Sequence, residues 1–187
     1  MKNFIFESVL QADEQSLMKG NFIIVLQTVR VPPHLLIAVN GRSWSISVSG
    51  QLPGEPLEKL FAYITRKEVP TIFSELKLPT HISQEVLCDM LDKAVAKYPE
   101  VHENEISCLH PIRDVAAEVF GEVAMDARFI YELIPAIQLA NGIGRHYGFY
   151  LERYLDEKGN LAMPLYSAED VARATAEAVK QFAENKE

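Results

Sequence analysis

Cysteine is scarce. The chain has two, Cys88 and Cys108, among 187 residues, too few for a disulfide framework. No apolar run approaches the roughly 18 residues that span a bilayer. The start Met1-Lys2-Asn3-Phe4-Ile5-Phe6 is cut short by Glu7, so it lacks the long apolar stretch and small-residue cleavage site of a signal peptide. Positive charge is in deficit: 18 Lys and Arg against 26 Asp and Glu give a net charge of −8. That argues against a non-specific nucleic-acid binder or an anionic-membrane binder, since both need a basic footprint. Internal repeats and linkers rich in Gly, Ser or Pro are missing too. These absences lead to the expectation of one domain over residues 1–187 in a reducing, cytoplasmic setting, where a free cysteine is either a small core residue or a reactive thiol.

What is present is average for a globular protein: 48% hydrophobic and 24% charged residues. The charge is lopsided. Residues 1–80 carry 8 basic and 7 acidic groups, so the whole deficit lies in 81–187. Residues 8–19 read as a short helix closed by Gly20. Asn21 to Arg30 is a β-branched apolar run, hence a buried strand, ended by Pro32-Pro33. Leu35–Val39, Asn40-Gly41 and Arg42–Ser49 make a hairpin on a type I′ turn. A two-residue loop fixes the register: Val39 faces Arg42, Ile37 faces Trp44, Leu35 faces Ile46 and His34 faces Ser47. Leu35, Ile37, Val39, Trp44, Ile46 and Val48 then share a core face. The other face carries His34, Leu36 and Ala38 with Ser43, Ser45, Ser47 and Ser49, a surface suited to packing or binding rather than to plain solvent cover.

Residues 50–56 read as a loop, 57–66 as a helix, and 70–79 as irregular or a short strand. Ser83 is an N-cap for an amphipathic helix reaching Tyr98-Pro99. Ser107-Cys108-Leu109-His110-Pro111 leads into another helix, with a stripe at Ile112, Val115, Ala116, Val119 and Phe120 and with Gly121 as C-cap. Beyond it come a helix around Arg128–Leu139, a turn at Asn141–Gly144, the aromatic stretch His146–Tyr150, a possible hairpin turn at Asp156–Asn160, and a final helix opened by Ser167 and running to about Phe182. The order of helix, antiparallel strands and then mostly helices indicates an α+β fold.

The chemistry-bearing pair is His34 with Cys108. A thiol at a helix start feels the positive end of the dipole and unpaired N–H groups, which favour the thiolate. A histidine on a strand can serve as its base, and the N–H at the helix start can meet an oxyanion. Three stretches carry a family resemblance. Gly20-Asn21-Phe22-Ile23-Ile24 resembles a Gly-Asp-Ile-Ile strand start, with Asn21 in place of Asp. Pro33-His34-Leu35-Leu36-Ile37-Ala38-Val39 with its return strand resembles a His-Val-Gly-Ile hairpin, with Leu36 in place of Gly. Ser83–Tyr98 followed by Ser107-Cys108 resembles the helix, linker and Asn-Cys helix start, with Ser107 in place of Asn. Together these resemble the circularly permuted papain-like hydrolases, relatives of NlpC-type peptidases and of lecithin:retinol acyltransferase, over about residues 19–121.

The resemblance implies a small antiparallel sheet packed with helices over 19–121, and a mostly helical C-terminal extension over 122–187 that covers the sheet or forms a partner surface. It implies Cys108 as nucleophile, His34 as general base and Ser47, or Ser45, in the place of the residue that orients the imidazole. A serine accepts from the ring N–H but stabilises imidazolium less than a carboxylate does. The bond attacked would be an amide, peptide or thioester in a small-molecule or peptide substrate. No metal or organic cofactor is required by this chemistry. The alternative reading is a binding or interaction module without chemistry, on the same or another α+β fold.

Other constellations are weaker. Cys88, beside Leu87 on an apolar stripe, reads as core. His110, two residues from Cys108, is a minor alternative partner. His102, Cys108 and His110 with Glu103 or Glu105 lack the tight spacing of a zinc site. Gly142, Gly144 and Gly148 do not match a dinucleotide loop, and there is no Gly-x-Ser-x-Gly elbow. The aromatic stretch is core or interface rather than a nucleic-acid platform, because its surroundings are not basic.

Overall fold

A computed structural model describes residues 3–102 and 106–184. In chain order the elements are β1 (Asn3–Phe6), β2 (Leu10–Gln11), α1 (Glu14–Leu17), β3 (Asn21–Leu26), β4 (His34–Val39), β5 (Arg42–Ser47), β6 (Gly50–Pro56), α2 (Leu57–Lys67), β7 (Thr71–Leu76), α3 (Gln84–Lys97), α4 (Leu109–Phe120), α5 (Ile130–Leu139), β8 (Ile143–Phe149), β9 (Leu161–Pro164) and α6 (Ala168–Glu184). The fold is α+β. A seven-stranded sheet has the order β2-β8-β7-β3-β4-β5-β6, and β1 pairs with β9 in a separate two-stranded sheet. All neighbours in the large sheet are antiparallel except β2 and β8.

The apolar run of β3 sits at the centre of that sheet and is buried on both faces, which is why it shows no polar alternation. Ile23, Val25, Leu35, Ile37, Val39, Trp44 and Ile46 point to one side. There they form a core with Leu87 and Leu91 of α3, Ile112 and Val115 of α4, and Leu133 of α5. Phe22, Ile24, Leu36, Ala38 and Phe73 point to the other side, under Leu57, Phe61 and Ile64 of α2. So the hairpin face that was expected to be a packing surface is covered by a helix at Leu36 and Ala38. Phe61 stacks on Phe73 with centroids 5.5 Å apart, anchoring that layer.

The hairpin turn is as expected: Asn40 and Gly41 both have positive φ, +47° and +77°, and Val39 pairs with Arg42 and Ile37 with Trp44. The ladder then ends. No β4–β5 pair continues to Leu35, and His34 does not lie opposite Ser47.

Several expectations about elements need correction. The helix read over 8–19 is one turn, Glu14–Leu17, capped by Asp13, whose carboxylate accepts from the N–H of Gln15 and Ser16. Residues 10–11 are instead drawn into the sheet by β8. The loop read at 50–56 is the edge strand β6, where Pro53 and Gly54 are tolerated because one side is unpaired. The aromatic stretch lies in β8, an inner strand of the large sheet, and Asp156–Asn160 turns the chain toward β9, whose partner is β1 rather than β8. Residues 122–187 therefore do more than cover the sheet: they supply one of its strands.

The helix signals did hold. Ser83 caps α3 by accepting from Val86 N–H, and Gly121 ends α4. Ser167 and Asp170 exchange reciprocal backbone-to-side-chain bonds at the head of α6, a capping box. No helix among the described residues is long and apolar enough to cross a membrane.

Candidate functional site

β4 begins at His34, just after Pro32-Pro33, and α4 begins just after Cys108. Where the β4–β5 ladder stops, the backbone of Leu35 needs other partners. Its carbonyl accepts from Ser45 Oγ at 2.7 Å. Its N–H is directed at the Cys108 sulfur, as is the N–H of Cys108 itself. The residue after His34 thus touches the thiol, and a pocket of about 200 Å³ has His34, Cys108 and Ser47 together in its lining. A strand start and a helix start, 74 positions apart in sequence, meet there.

Among the described residues the imidazole has one side-chain partner, Ser45 Oγ at 3.2 Å from Nε2. The single proton of that hydroxyl is engaged with the Leu35 carbonyl, so Oγ accepts from Nε2–H. This assigns the tautomer from the hydrogen-bond network and leaves Nδ1 as the ring's proton acceptor. Ser47 does not orient the ring. Its hydroxyl is bonded to Ser49 Oγ at 2.8 Å and donates to the Gly50 carbonyl. The role falls to Ser45, because the strands part before the His34–Ser47 position is reached.

The electrostatics differ from the expected thiolate. Both residues keep some exposed surface, but the ring and the sulfur lie inside the protein. Burial, with a smaller contribution from the Arg30 charge, pushes the His34 imidazole down to about 4. Burial pushes the Cys108 thiol up to about 11, against the two N–H donors that lower it. Desolvation outweighs the helix start here, and the two groups that line the pocket rest as a neutral thiol and a neutral imidazole.

The dryness comes from the C-terminal region. Tyr166 and residues Val171, Ala174, Thr175 and Ala178 of α6 form one wall. Tyr166 is itself buried, and burial with the neighbouring Cys108 raises its phenol. Sequence reasoning pointed to a cover by 122–187 but not to Tyr166 or Thr175; the capping box at Ser167 was the available signal that a helix starts beside them.

The other candidates are placed elsewhere. His110 folds back on its own turn, where Nδ1 accepts from Ser107 N–H at 3.0 Å, and its ring lies against Tyr98. Cys88 is half-buried against the core, and burial raises its thiol. Glu103 and Glu105 lie outside the described residues. Among the described residues no group of three or more His, Cys, Asp or Glu side chains is arranged to hold a metal ion.

α4 is held in place by Asp114. Its carboxylate takes hydrogen bonds from Lys97 Nζ at 2.6 Å and Tyr98 Oη at 2.7 Å. Burial alone would raise the Asp114 carboxyl, but those two donors hold it below the usual carboxylate range. The end of α3 is thereby tied to the helix that carries Cys108. Comparison of the chain with family models, with curated proteins and with solved structures finds no match in any of the three.

Proposed function

We propose that the chain is a thiol-dependent acyl hydrolase or acyltransferase of permuted papain-like architecture, with Cys108 as nucleophile, His34 as general base and Ser45 orienting the imidazole. The observation that carries this reading is a shared pocket: His34 and Cys108 both line it, and the backbone N–H of Leu35, the residue after His34, is directed at the Cys108 sulfur. The Nε2–H of His34 is committed to Ser45, which leaves Nδ1 to take a proton.

In the proposed reaction the thiol proton passes to His34 Nδ1 as Sγ bonds to the acyl carbon. The oxyanion is met by the Cys108 N–H at the head of α4. The carbonyl re-forms as the bond to the amine or thiol leaving group breaks, and His34 returns the proton to that group. Water, deprotonated by the same nitrogen, then cleaves the thioester to a carboxylate and restores the thiol. The substrate bond is an amide, peptide or thioester. A reducing, cytoplasmic setting, in which the thiol stays free, goes with this chemistry.

The cost of the first step is set by the dry pocket. With the thiol near 11 and the imidazole near 4, forming the ion pair is uphill by on the order of 10 kcal/mol before the mutual attraction of the charges is counted. Attraction at an effective dielectric of about 20 returns about 4 kcal/mol at contact. Turnover in this reading therefore needs α6 to move aside or substrate to bring polar groups into the pocket.

That same wall favours a second reading, a binding module in which the pocket holds a ligand and no bond is made. Incubation with an activated acyl ester, followed by intact-protein and peptide mass measurement, separates the two. An acyl adduct on Cys108 that is lost in His34→Ala supports the enzyme. A stable, unmodified thiol under conditions where Cys88 reacts supports the module.

A further inference from the structure

The acyl step uses Cys108, His34 and Ser45, and leaves the charge at the rim of the pocket without a role. In a chain of net charge −8, the described residues that line the pocket include two arginines, Arg30 and Arg128, and no carboxylate. Among the described residues neither guanidinium has an ion-pair partner. Arg30 Nη1 donates to Gln27 Oε1 at 3.1 Å, and Arg128 lies over the Phe129 ring at 5.9 Å. Cations at the mouth of a low-dielectric cavity concentrate anions there, and a guanidinium matches a carboxylate in fork geometry.

A second observation lies deeper. Thr175 of α6 is 8% exposed and lines the same pocket, and among the described residues its side chain makes no hydrogen bond. Among the described residues its oxygen is not one of the fully buried, unpartnered polar atoms, so it keeps access to the pocket and can bond a ligand's polar atom. Much of the remaining lining is apolar, with Pro33, Leu35, Val48 and Ala174 among its members.

We propose that this pocket selects a carboxylate-bearing acyl compound. Its short apolar chain lies against Leu35, Val48 and α6, its carboxylate is held by Arg30 and Arg128, and Thr175 bonds a polar atom near the carbonyl presented to Cys108. This specificity rests on the reading of Cys108 as a nucleophile, and the test is built so that the two fail separately.

Iodoacetate and iodoacetamide differ in charge and alkylate the same atom. Their relative rates at Cys108, divided by their relative rates at Cys88 in the same molecule, report anion selection by the pocket. The ratio is expected to favour iodoacetate at Cys108 by about tenfold and to lose that preference in the double variant Arg30→Gln/Arg128→Gln; both side chains are exposed, so the fold tolerates the change. An equal ratio at the two cysteines, unchanged in the double variant, overturns the carboxylate assignment and leaves the nucleophile standing. If Cys108 reacts with neither reagent while Cys88 does, the nucleophile reading fails. Binding then decides the pocket: butyrate but not butyramide should raise the melting temperature, with the effect lost in the double variant and reduced in Thr175→Val. No shift with butyrate, or an equal shift with inorganic phosphate, overturns the proposal.

Discussion

Two histidine–serine pairs join neighbouring strands of the large sheet among the described residues, and they behave alike until the third group is considered. His146 in β8 meets Ser74 Oγ of β7 at 2.9 Å through Nδ1, and His34 in β4 meets Ser45 Oγ of β5 at 3.2 Å through Nε2. Burial lowers both imidazoles. His146 and Ser74 are themselves a ladder pair, the last before the register shifts toward Leu76, and the ring packs edge-to-face on Phe6 at 5.3 Å; it is a half-buried, satisfied histidine. His34 stands where the ladder has opened, and the backbone released there reaches a sulfur. The comparison teaches that a histidine bonded to a serine on the next strand is by itself structural. What distinguishes His34 is the missing strand pairing beside it and the helix start that fills the gap.

The sharpest way to break this contrast is to remove each ring. His34→Ala is expected to slow acylation of Cys108 by about 10²–10⁴-fold, the range for a general base. His146→Ala should leave the rate within about twofold and lower the melting temperature instead. Time-resolved intact mass against an activated ester reads the rate, and thermal denaturation reads the stability. Equal rate losses would erase the distinction.

Next in size is pH. Folded His34 binds its proton only below about 4, whereas the unfolded residue binds it below about 6.5. Between these values the unfolded chain carries more protons, so the contribution of His34 to stability is present above pH 6.5 and is lost as pH falls toward 4, on the order of 2–3 kcal/mol in all. At the alkaline end Cys108 acts in the opposite sense. Its folded thiol stays protonated to about 11, so stability falls as pH rises from about 9. Chemical denaturation from pH 4 to 7 should flatten in His34→Gln and from pH 9 to 11 in Cys108→Ala.

Smaller effects follow from single bonds. Ser45→Ala removes both the Nε2 acceptor and the donor to the Leu35 carbonyl, and is expected to cost about 1–3 kcal/mol together with a drop in Cys108 acylation; Ser74→Ala should cost similar stability with no change in acylation. Asp114→Asn weakens the tie between α3 and α4 by about 1–3 kcal/mol, and that loss should shrink at low pH, where wild-type Asp114 is itself protonated. Smallest is Lys59→Ala, which breaks the exposed pair between Lys59 on α2 and Glu55 near the end of β6 and should shift stability by no more than about 0.5 kcal/mol. Urea melts order the four.

Much of this was legible in the chain. Asn40-Gly41, Ser83 and Gly121 act locally: a turn pair with positive φ, an N-cap and a helix stop do their work within a few residues, so the hairpin and the helices α3 and α4 could be read directly. The apolar run of β3 announced a strand covered on both sides. What stayed hidden depended on partners distant in sequence. Pro53 and Gly54 spoke for a loop, yet β5 recruits them as an edge strand; Leu10 and Gln11 read as helix until β8 claims them. At the site, His34 and Cys108 could be named from a strand start and a helix start, but the register that favoured Ser47 ends three pairs too early, so the imidazole is held by Ser45. The protonation state was the least legible, since it is set by the α6 wall and Tyr166, and a helix start alone argues for the opposite charge.

The most direct test of the account is the pH dependence of Cys108 alkylation in the wild type and in His34→Ala, followed peptide by peptide with Cys88 as the internal standard. The account predicts that the wild-type rate climbs toward pH 11, and that at neutral pH it exceeds the rate of His34→Ala by about tenfold or more. Superimposable profiles for the two proteins would contradict it, because the sulfur and the imidazole would then be neighbours that do not act on each other.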